Sequence, residues 1–298
     1  MRTAFSVYFR ERNRVVYQDD EQFMSSLPND IAGPLRQFLS ASNLSEEEYF
    51  SVFRSLHQQY SDKPDSRVTV LLSPSNVQWV SDDFLLRTKE EAGRAGAAIH
   101  IHLVESLYQK EYGIRTWGHT PVEHLSTLGF LGPEVSCAHS VWLTDQDIDI
   151  LAQTGATACH NPSSNLRLKN GIAPVNAMLG QGVNVALGTD STTLNDDDDL
   201  IQEMRLAAKL HRQPRMDMPA LTSHQALRLA TANAARPTSL QNKIGTLEAG
   251  CFADLVLLDL NRMAEPYTDK DIDVVDTLLY RGKASHVDTV MIQGEVVV

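Results

Sequence analysis

The chain has 298 residues, of which 42% are hydrophobic and 21% charged, and its formal net charge is −12. That length predicts a sizeable core, in one large α/β domain or in a domain with a small satellite. Nucleic acids and anionic membranes bind basic surfaces, so the acidic charge argues against both as partners. The expected role of the acidic charge itself is solubility.

The cysteines and the apolar runs indicate the cellular compartment in which the protein is expected. Cys137, Cys159 and Cys251 show no CxxC spacing, which disfavours a disulfide framework and a zinc finger. No apolar run approaches the ~18 residues of a membrane span. The N-terminal stretch MRTAFSVYFRERN lacks the layout of a signal peptide. A soluble protein of the reducing cytoplasm is therefore expected.

Short runs rich in Val, Ile, Ala and Leu predict six buried strands. These runs lie at residues 3–9, 67–74, 97–103, 135–140, 156–161 and 183–190. Helical patterns separate or follow them at residues 45–60, 82–95, 119–128, 144–154, 173–181 and 198–212. This alternation predicts an α/β fold with a parallel sheet and helices on its faces. Thr144 is expected to be the N-cap of its helix.

Four aspartates precede the last of these helices, in the sequence NDDDDLIQEMRLAAKLHR at residues 195–212. Acidic side chains there cap free backbone N–H groups and offset the positive end of the helix dipole. Capping is the expected role, and a metal or substrate role for one aspartate is the alternative. The pattern changes after residue 236, where short strands with Gly turns and no intervening helix predict a small β-rich satellite at 237–298, beside a main domain at 1–236.

Four of the predicted strands end in a residue suited to metal binding or proton transfer, namely His102, His139, His160 and Asp190. In parallel α/β folds the residues that do chemistry gather at the carboxyl ends of the strands. Imidazole nitrogens with a carboxylate suit zinc or iron. The spacing therefore predicts a metal-assisted site at this edge of the sheet.

The stretch IHIHLVE, at residues 99–105, leaves two arrangements open. Residues two apart on a strand share a face, so His100 and His102 are both candidates to point inward as a two-histidine clamp. In the other arrangement only His102 binds metal, and His100 lies deeper. Glu105 follows just past the strand, where a carboxylate can transfer protons.

Five stretches occur in the order found in the amidohydrolase superfamily: HIHLVE, CAHSVWLT, HNPSSNLRLKNGIAPV, VALGTDS and GTLEAGCFADLVLLD. The chain most resembles the branch that includes triazine hydrolases and methylthioadenosine/S-adenosylhomocysteine deaminases, from about residue 3 to residue 298. This resemblance implies a (β/α)8 TIM-type barrel with part of a small β-sandwich at the C-terminus. It also implies one divalent metal ion as cofactor, Zn²⁺ first and Fe²⁺ second.

The resemblance also implies a role for each matching residue. His102 and Asp190 would bind the metal, and Asp190 would in addition shuttle protons. Glu105 would act in proton transfer, and His139 would contact the metal-bound hydroxide or the substrate. His100 would be an ordinary inward or packing position. The residues expected to shape the substrate pocket are His160, Asn165, Ser191 and Trp142, with Ser163, Ser164 and Arg167 as further candidates. The alternative for the loop residues 163–165 and 167 is a capped, hydrogen-bonded loop, and the alternative for Trp142 is packing.

One part of the superfamily pattern is missing. Members carry an HxH pair on the first barrel strand, whereas residues 1–96 contain a single histidine, His57. By this match residues 3–9 and 67–74 are the third and fourth barrel strands. The barrel is therefore expected to lack its first strands and the chain to be N-terminally truncated. His102 and Asp190 alone would then form a weak metal site.

The implied activity is hydrolysis of carbon–nitrogen bonds other than peptide bonds, with Glu105 favouring deamination of an amino-substituted nitrogen heterocycle. The alternatives are an impaired fragment or pseudoenzyme without the HxH ligands, a binding subunit completed by a partner chain, and a cyclic-amide or chlorotriazine hydrolase. Strand 67–74 has no Lys, which disfavours a two-metal site. A homo-oligomer is left open, since dimers are common among relatives.

Overall fold

Six parallel strands follow one another both along the chain and across a single sheet. The computed structural model describes residues 2–41, 44–63, 66–195, 197–212 and 220–298. The strands are β1 (Thr3–Phe9), β2 (Val68–Pro74), β3 (Ile99–Leu103), β4 (Val135–His139), β5 (Thr157–His160) and β6 (Asn184–Leu187). Each pairs in parallel with the next. All six predicted strands and the α/β class are confirmed. Within the described ranges no pairing joins β6 to β1, so a closed barrel is not seen among these strands.

Helices connect the strands and follow the sheet. They are α1 (Asp20–Ser25), α2 (Asn29–Ala41), α3 (Glu46–Leu56), α4 (Asp82–Ala95), α5 (Leu107–Trp117), α6 (Pro121–Thr127), α7 (Asp145–Thr154), α8 (Pro162–Arg167), α9 (Val175–Gly180), α10 (Thr192–Asn195), α11 (Leu200–Leu210) and α12 (Ser223–Ala230). The six predicted helices correspond to α3, α4, α6, α7, α9 and α11. The sequence patterns did not reveal the other six, of which α1, α8 and α10 are too short to show a clear helical period.

Side-chain caps fix where several helices begin. Thr144 accepts a hydrogen bond from the backbone N–H of Asp147, and the Asp147 carboxylate accepts one from the backbone N–H of Thr144. This reciprocal pair is a capping box, and it confirms the predicted cap. Asp199 accepts from the N–H groups of Ile201 and Gln202 at the start of α11. Capping is therefore confirmed as the role of this aspartate in the acidic run.

Aromatic side chains fill the core between the first strands and their helices. Phe9 on β1 and Phe84 on α4 stack with ring centroids 4.2 Å apart. Tyr49 and Phe50 on α3 pack against Phe84 at 5.4 and 5.2 Å. The Tyr49 hydroxyl, although buried, accepts a hydrogen bond from the backbone N–H of Ser73 on β2. This contact satisfies the polar tip of an otherwise apolar side chain, and it fixes α3 to the sheet.

The C-terminal region combines a small antiparallel sheet with two helices. Its elements are β7 (Leu255–Leu258), α13 (Leu260–Ala264), α14 (Val274–Arg281), β8 (Val287–Ile292) and β9 (Glu295–Val296). The expectation that no helix separates its strands is wrong, because α13 and α14 lie between β7 and β8. Helix α14 packs against α11 and α12, and Arg205 on α11 donates to the Leu279 carbonyl oxygen at 2.9 Å. The packing of α14 thus ties the predicted satellite to the main domain.

Arg2 joins the beginning of the chain to this C-terminal region. Its guanidinium donates to both carboxylate oxygens of Asp254, at 2.5 and 3.1 Å, and lies 4.4 Å from the ring centroid of Phe252. The backbone N–H of Gln293 also donates to Asp254, at 2.9 Å. Bidentate pairing of this kind is stronger than an ordinary surface ion pair.

The Asp254→Asn variant is expected to unfold with a free energy about 2 kcal/mol lower than that of the wild type. The amide turns an NH₂ toward the Arg2 guanidinium, so one charge-assisted hydrogen bond is lost and the other is weakened. Urea unfolding at pH 7 measures this difference. The exposed Asp271, changed to Asn, is the matched control. Equal losses in the two variants would show that the Arg2 contact contributes no stability.

In the part of the chain that the structure describes, no helix is both long and apolar enough to cross a bilayer.

Candidate active site

The carboxyl ends of the central strands bring four of the predicted residues together. His102 lies one residue before the end of β3 and His139 is the last residue of β4. Their rings stack with centroids 5.4 Å apart. The Nε2 atom of His139 lies 4.0 Å from Glu105 Oε1 and 3.9 Å from Asp190 Oδ2. The structure therefore places two imidazoles and two carboxylates close together. Three of the four strand-end residues are among them, whereas His160 pairs with His211 instead.

Both imidazoles are held in one tautomer by partners behind them. The Nδ1 atom of His102 is 2.7 Å from the Ser75 carbonyl oxygen, and that of His139 is 2.9 Å from Asn165 Oδ1. An oxygen of either kind only accepts, so each Nδ1 carries the proton. The Nε2 atom of each ring is then left with its lone pair. This is the arrangement by which proteins orient histidines as metal ligands or proton acceptors.

Two side-chain amides fix the Glu105 carboxylate. Asn170 donates to Oε1 at 2.8 Å and Gln109 donates to Oε2 at 3.2 Å. Gln109 also accepts the backbone N–H of Glu105, so it contacts both ends of the residue. Neither Gln109 nor Asn170 was predicted from the sequence. The only local signal was the position of Gln109 in the first turn of α5, four residues after Glu105.

Backbone strain is concentrated at these strand ends. Val104, His139, Ser140 and Asp190 have φ angles of +40°, +69°, +49° and +66°. Residues with a Cβ rarely adopt such angles, and a β-branched valine does so least readily. Such strain costs of order 1–3 kcal/mol per residue and persists where surrounding contacts enforce it. Here the backbone N–H groups of Val141 and Trp142 both donate to the Val104 carbonyl oxygen, at 3.2 and 3.0 Å.

A cavity of about 390 Å³ opens at the same edge of the sheet. Among the residues that line it are His100, His102, His139, Cys159, Asn161 and Asp190. Its volume falls in the range of roughly 300–1,000 Å³ that is typical of small-molecule sites. His100 and His102 both face it, as the two-residue period of a strand requires.

Burial keeps these imidazoles neutral. It lowers the pKa of His100 to about 4, with smaller contributions from the neighbouring histidines. Burial also lowers the pKa of His102, and His139 beside it acts in the same direction. The Nδ1 atom of His100 is paired with Ser136 Oγ at 2.7 Å. Neutral rings at physiological pH are the form that binds metal ions.

The four residues predicted to bind substrate lie around the cavity and are absent from its described lining. Asn165 contacts His139 from behind, and Trp142 donates its indole N–H to the Asn170 carbonyl oxygen at 2.7 Å. His160 faces α11, and Ser191 is exposed, with its hydroxyl 2.9 Å from that of Thr193. Their role in substrate binding stays a prediction. The contacts of Asn165 and Trp142 instead hold residues of the site.

The donor atoms suit part of a divalent metal site. The lone pair on His102 Nε2 and the Asp190 carboxylate are nitrogen and oxygen ligands of the kind that zinc and iron take. Among the described residues, however, no three metal-capable side chains are grouped so that they could hold an ion by themselves. The chain as described therefore supplies an incomplete ligand set, since a catalytic zinc usually has three protein ligands.

A model of the amidohydrolase family matches residues 24–297. This chain belongs to the amidohydrolase family. A 5-methylthioadenosine/S-adenosylhomocysteine deaminase of Caldanaerobacter subterraneus is 35% identical over 251 residues, which cover 84% of this chain and 57% of the relative. A 5′-deoxyadenosine deaminase of Methanosarcina barkeri is 40% identical over 232 residues, or 78% of this chain and 52% of the relative. This amidohydrolase chain thus spans about half the length of the curated relatives it matches.

Two solved structures resemble this amidohydrolase closely in fold. An adenosine deaminase from Xanthomonas campestris with bound zinc superposes with a TM-score of 0.79 at 31% identity, covering 85% of this chain and 56% of its own. The zinc complex of atrazine chlorohydrolase TrzN from Arthrobacter aurescens TC1 gives 0.78 at 25% identity, with coverages of 85% and 56%. The resemblance stated from the sequence is confirmed. Zinc in both neighbours agrees with a divalent metal in the family.

Proposed function

We propose that this site serves metal-dependent hydrolytic deamination of an amino-substituted nitrogen heterocycle of the adenosine type. The observation that carries the proposal is that the carboxylates of Glu105 and Asp190 both lie near His139, at 4.0 and 3.9 Å from its Nε2 atom. Deamination needs one carboxyl group that gives a proton and one carboxylate that takes it. The deaminase names of the two sequence relatives support this reaction.

His102 and Asp190 are the residues that would bind the ion, with zinc as the first choice. A divalent ion there would supply a water molecule that ionises near neutral pH. Ser164 donates to Asp190 Oδ2 at 2.6 Å, which orients the carboxylate that would take a proton from the attacking water. The lone pair on His139 Nε2 faces the same space. His139 is placed to accept a hydrogen bond from the attacking water and so to orient its oxygen toward the carbon that is attacked.

Glu105 is the residue placed to protonate the heterocycle. Its two oxygens accept from Asn170 and Gln109, so the carboxyl group cannot rotate away from His139. A ring nitrogen that gains a proton makes the adjacent carbon a better target for a nucleophile. The leaving amine requires a further proton, which Asp190 would deliver after taking it from the water. The second proton of the water, left on the new C–OH group, would return to Glu105. Glu105 and Asp190 thus have separate tasks.

The proposal is tested by assaying the zinc-supplemented protein for ammonia released from adenosine, 5′-deoxyadenosine and methylthioadenosine. Chloride release from atrazine is measured alongside, because TrzN is a structural neighbour. We expect ammonia from at least one nucleoside and no chloride, with activity abolished by a chelator and restored by zinc. Chloride release without ammonia, or no ammonia from folded, zinc-supplemented protein, would overturn the proposal.

A further inference from the structure

One face of α11 lies against the segment that follows β5. Glu203, Ala207 and His211 recur every four residues on this face, and all three are buried. Residues spaced in this way form one stripe along a helix. The stripe carries a carboxylate near one end and an imidazole at the other. We call residues 160–165, which have the sequence HNPSSN, the HNPSSN segment.

The stripe holds the HNPSSN segment at two points. The Glu203 carboxylate accepts the backbone N–H of Ser163 at 3.2 Å, and its second oxygen accepts Asn195 Nδ2 at 2.6 Å. His211 Nε2 lies 3.0 Å from His160 Nε2. Asn195 in turn donates to the Ser163 hydroxyl at 3.0 Å. Both the beginning and the middle of the segment are therefore fixed to α11.

The other side of the HNPSSN segment contacts the candidate site. Ser164 donates to Asp190 Oδ2, and Asn165 Oδ1 accepts the Nδ1 proton of His139 at 2.9 Å. Asn161 Oδ1 accepts the backbone N–H of His139 at 3.3 Å. The segment thus forms a direct bridge from α11 to both His139 and Asp190.

A gain in folding stability does not explain why position 203 carries a buried carboxylate. Burial raises the pKa of Glu203, and the hydrogen bonds from Ser163 and Asn195 only partly oppose this. A well-packed apolar residue often stabilises such a position as well or better. Buried polar groups that are fully paired instead fix one arrangement of their neighbours. The contacts of Glu203 therefore indicate that it fixes the arrangement of the residues bound to it.

We propose that Glu203 and His211 are positioning residues that fix His139 and Asp190 through the HNPSSN segment. The inference rests on the proposed function only in taking His139 and Asp190 as the reacting groups. Glu203 sets the position of Ser163, and with it the adjoining Ser164 hydroxyl and Asn165 amide. His211 sets the position of His160, where the segment leaves β5. Neither residue touches the cavity itself.

The test uses protein labelled with ¹⁵N in its histidine rings, which reports the tautomer of His139 without any substrate. In wild type, His139 is expected to show a protonated Nδ1 and an unprotonated Nε2. Glu203→Gln keeps the size of the side chain but replaces one carboxylate oxygen by an NH₂ group. An NH₂ group cannot accept from Ser163 N–H or from Asn195 Nδ2, so one of the two hydrogen bonds is lost. We expect the His139 signals to shift or to split between tautomers, while those of exposed His224 stay unchanged.

The matched control is Glu248→Gln, which removes the same charge from an exposed position. If Glu203→Gln does not fold, Asn195→Ala removes one donor from the same carboxylate and is expected to give the same change at His139. In an active preparation, Glu203→Gln is also expected to lower kcat about tenfold at unchanged KM. Unaltered His139 signals in a folded variant would overturn the inference. This readout is independent of deamination, so failure of one proposal does not decide the other.

Discussion

Replacing Glu105 by glutamine is expected to lower kcat/KM for the nucleoside substrate by about 10²–10⁴-fold, the usual contribution of a general acid or base. Glutamine keeps the size of the side chain but has no proton to give to the ring nitrogen. The loss is expected mainly in kcat, because Glu105 acts on the reacting ring. Binding of zinc is expected to be unchanged, since His102 and Asp190 remain in place.

Steady-state ammonia release from the zinc-supplemented variant measures this effect. Glu248→Gln is again the control, because it makes the same chemical change at an exposed position. Thermal unfolding of both variants establishes that the fold is intact. A Glu105→Gln variant that keeps the activity of the Glu248→Gln control would remove Glu105 from the mechanism and would favour a reaction that needs no proton at the ring nitrogen.

Acidification from pH 7 to pH 5 is expected to lower the free energy of unfolding by about 4 kcal/mol through His160 and His211 alone, roughly 2 kcal/mol each. Burial lowers the pKa of His160 to about 3, with His211 and His139 acting in the same direction. Burial also lowers the pKa of His211 to about 4. The ordinary value, which holds in the unfolded chain, is 6.5.

The sign follows from where the protons bind. Between pH 6.5 and the folded pKa values, the unfolded chain takes up protons on these histidines and the folded protein does not. Well above pH 6.5 both histidines are neutral in the folded and in the unfolded state, so their protonation does not lower the free energy of unfolding. The free energy of unfolding decreases progressively as the pH falls below 6.5. The part of this decrease that is due to these two histidines ends near pH 3–4.

Urea unfolding at intervals between pH 7 and pH 5 measures this dependence. His211→Asn is expected to reduce the fall in unfolding free energy by about 2 kcal/mol, because one titrating group is gone. Gln241→Asn, at an exposed position, removes no titrating group and is expected to leave the fall unchanged. A His211→Asn variant with the same pH dependence as wild type would contradict the assignment of His211 as a buried neutral imidazole.

The sequence was sufficient to place the central residues of the site. His102 and His139 each stand at the end of an apolar run, and the parallel arrangement of such runs follows from their alternation with helices. The two-residue period of a strand also correctly made His100 an inward candidate beside His102. These inferences worked because each depends on local pattern and on one general rule of topology.

The partners that orient these residues could not be predicted in the same way. Ser75 lies 27 residues from His102 along the chain, and Asn170 lies 65 residues from Glu105. No periodicity links positions so far apart, and a polar loop residue has many candidate partners. Long-range contacts of this kind depend on the packing of whole elements, as does the bridge from Glu203 to Ser163.

His160 shows where the strand-end rule has its limit. The rule groups His160 with His139, but successive side chains alternate between the faces of a strand. Cys159 on β5 faces the cavity, so His160 faces α11.

Helix α14 was not predicted from the sequence, because Val274, Val275 and Thr277 are β-branched and favour strands. Packing against α11 and α12 holds them in a helix instead.

The most direct measurement is a calorimetric titration of the purified protein with zinc, beside the His102→Asn and His224→Asn variants. We expect one weak zinc site, held by His102 and Asp190, in wild type and in His224→Asn. This site is expected to be weakened at least tenfold further, or lost, in His102→Asn. The lone pair on His102 Nε2, left free by the hydrogen bond from Nδ1 to Ser75, is the physical reason. Equal zinc affinity in wild type and His102→Asn would contradict a metal site at the ends of β3 and β4.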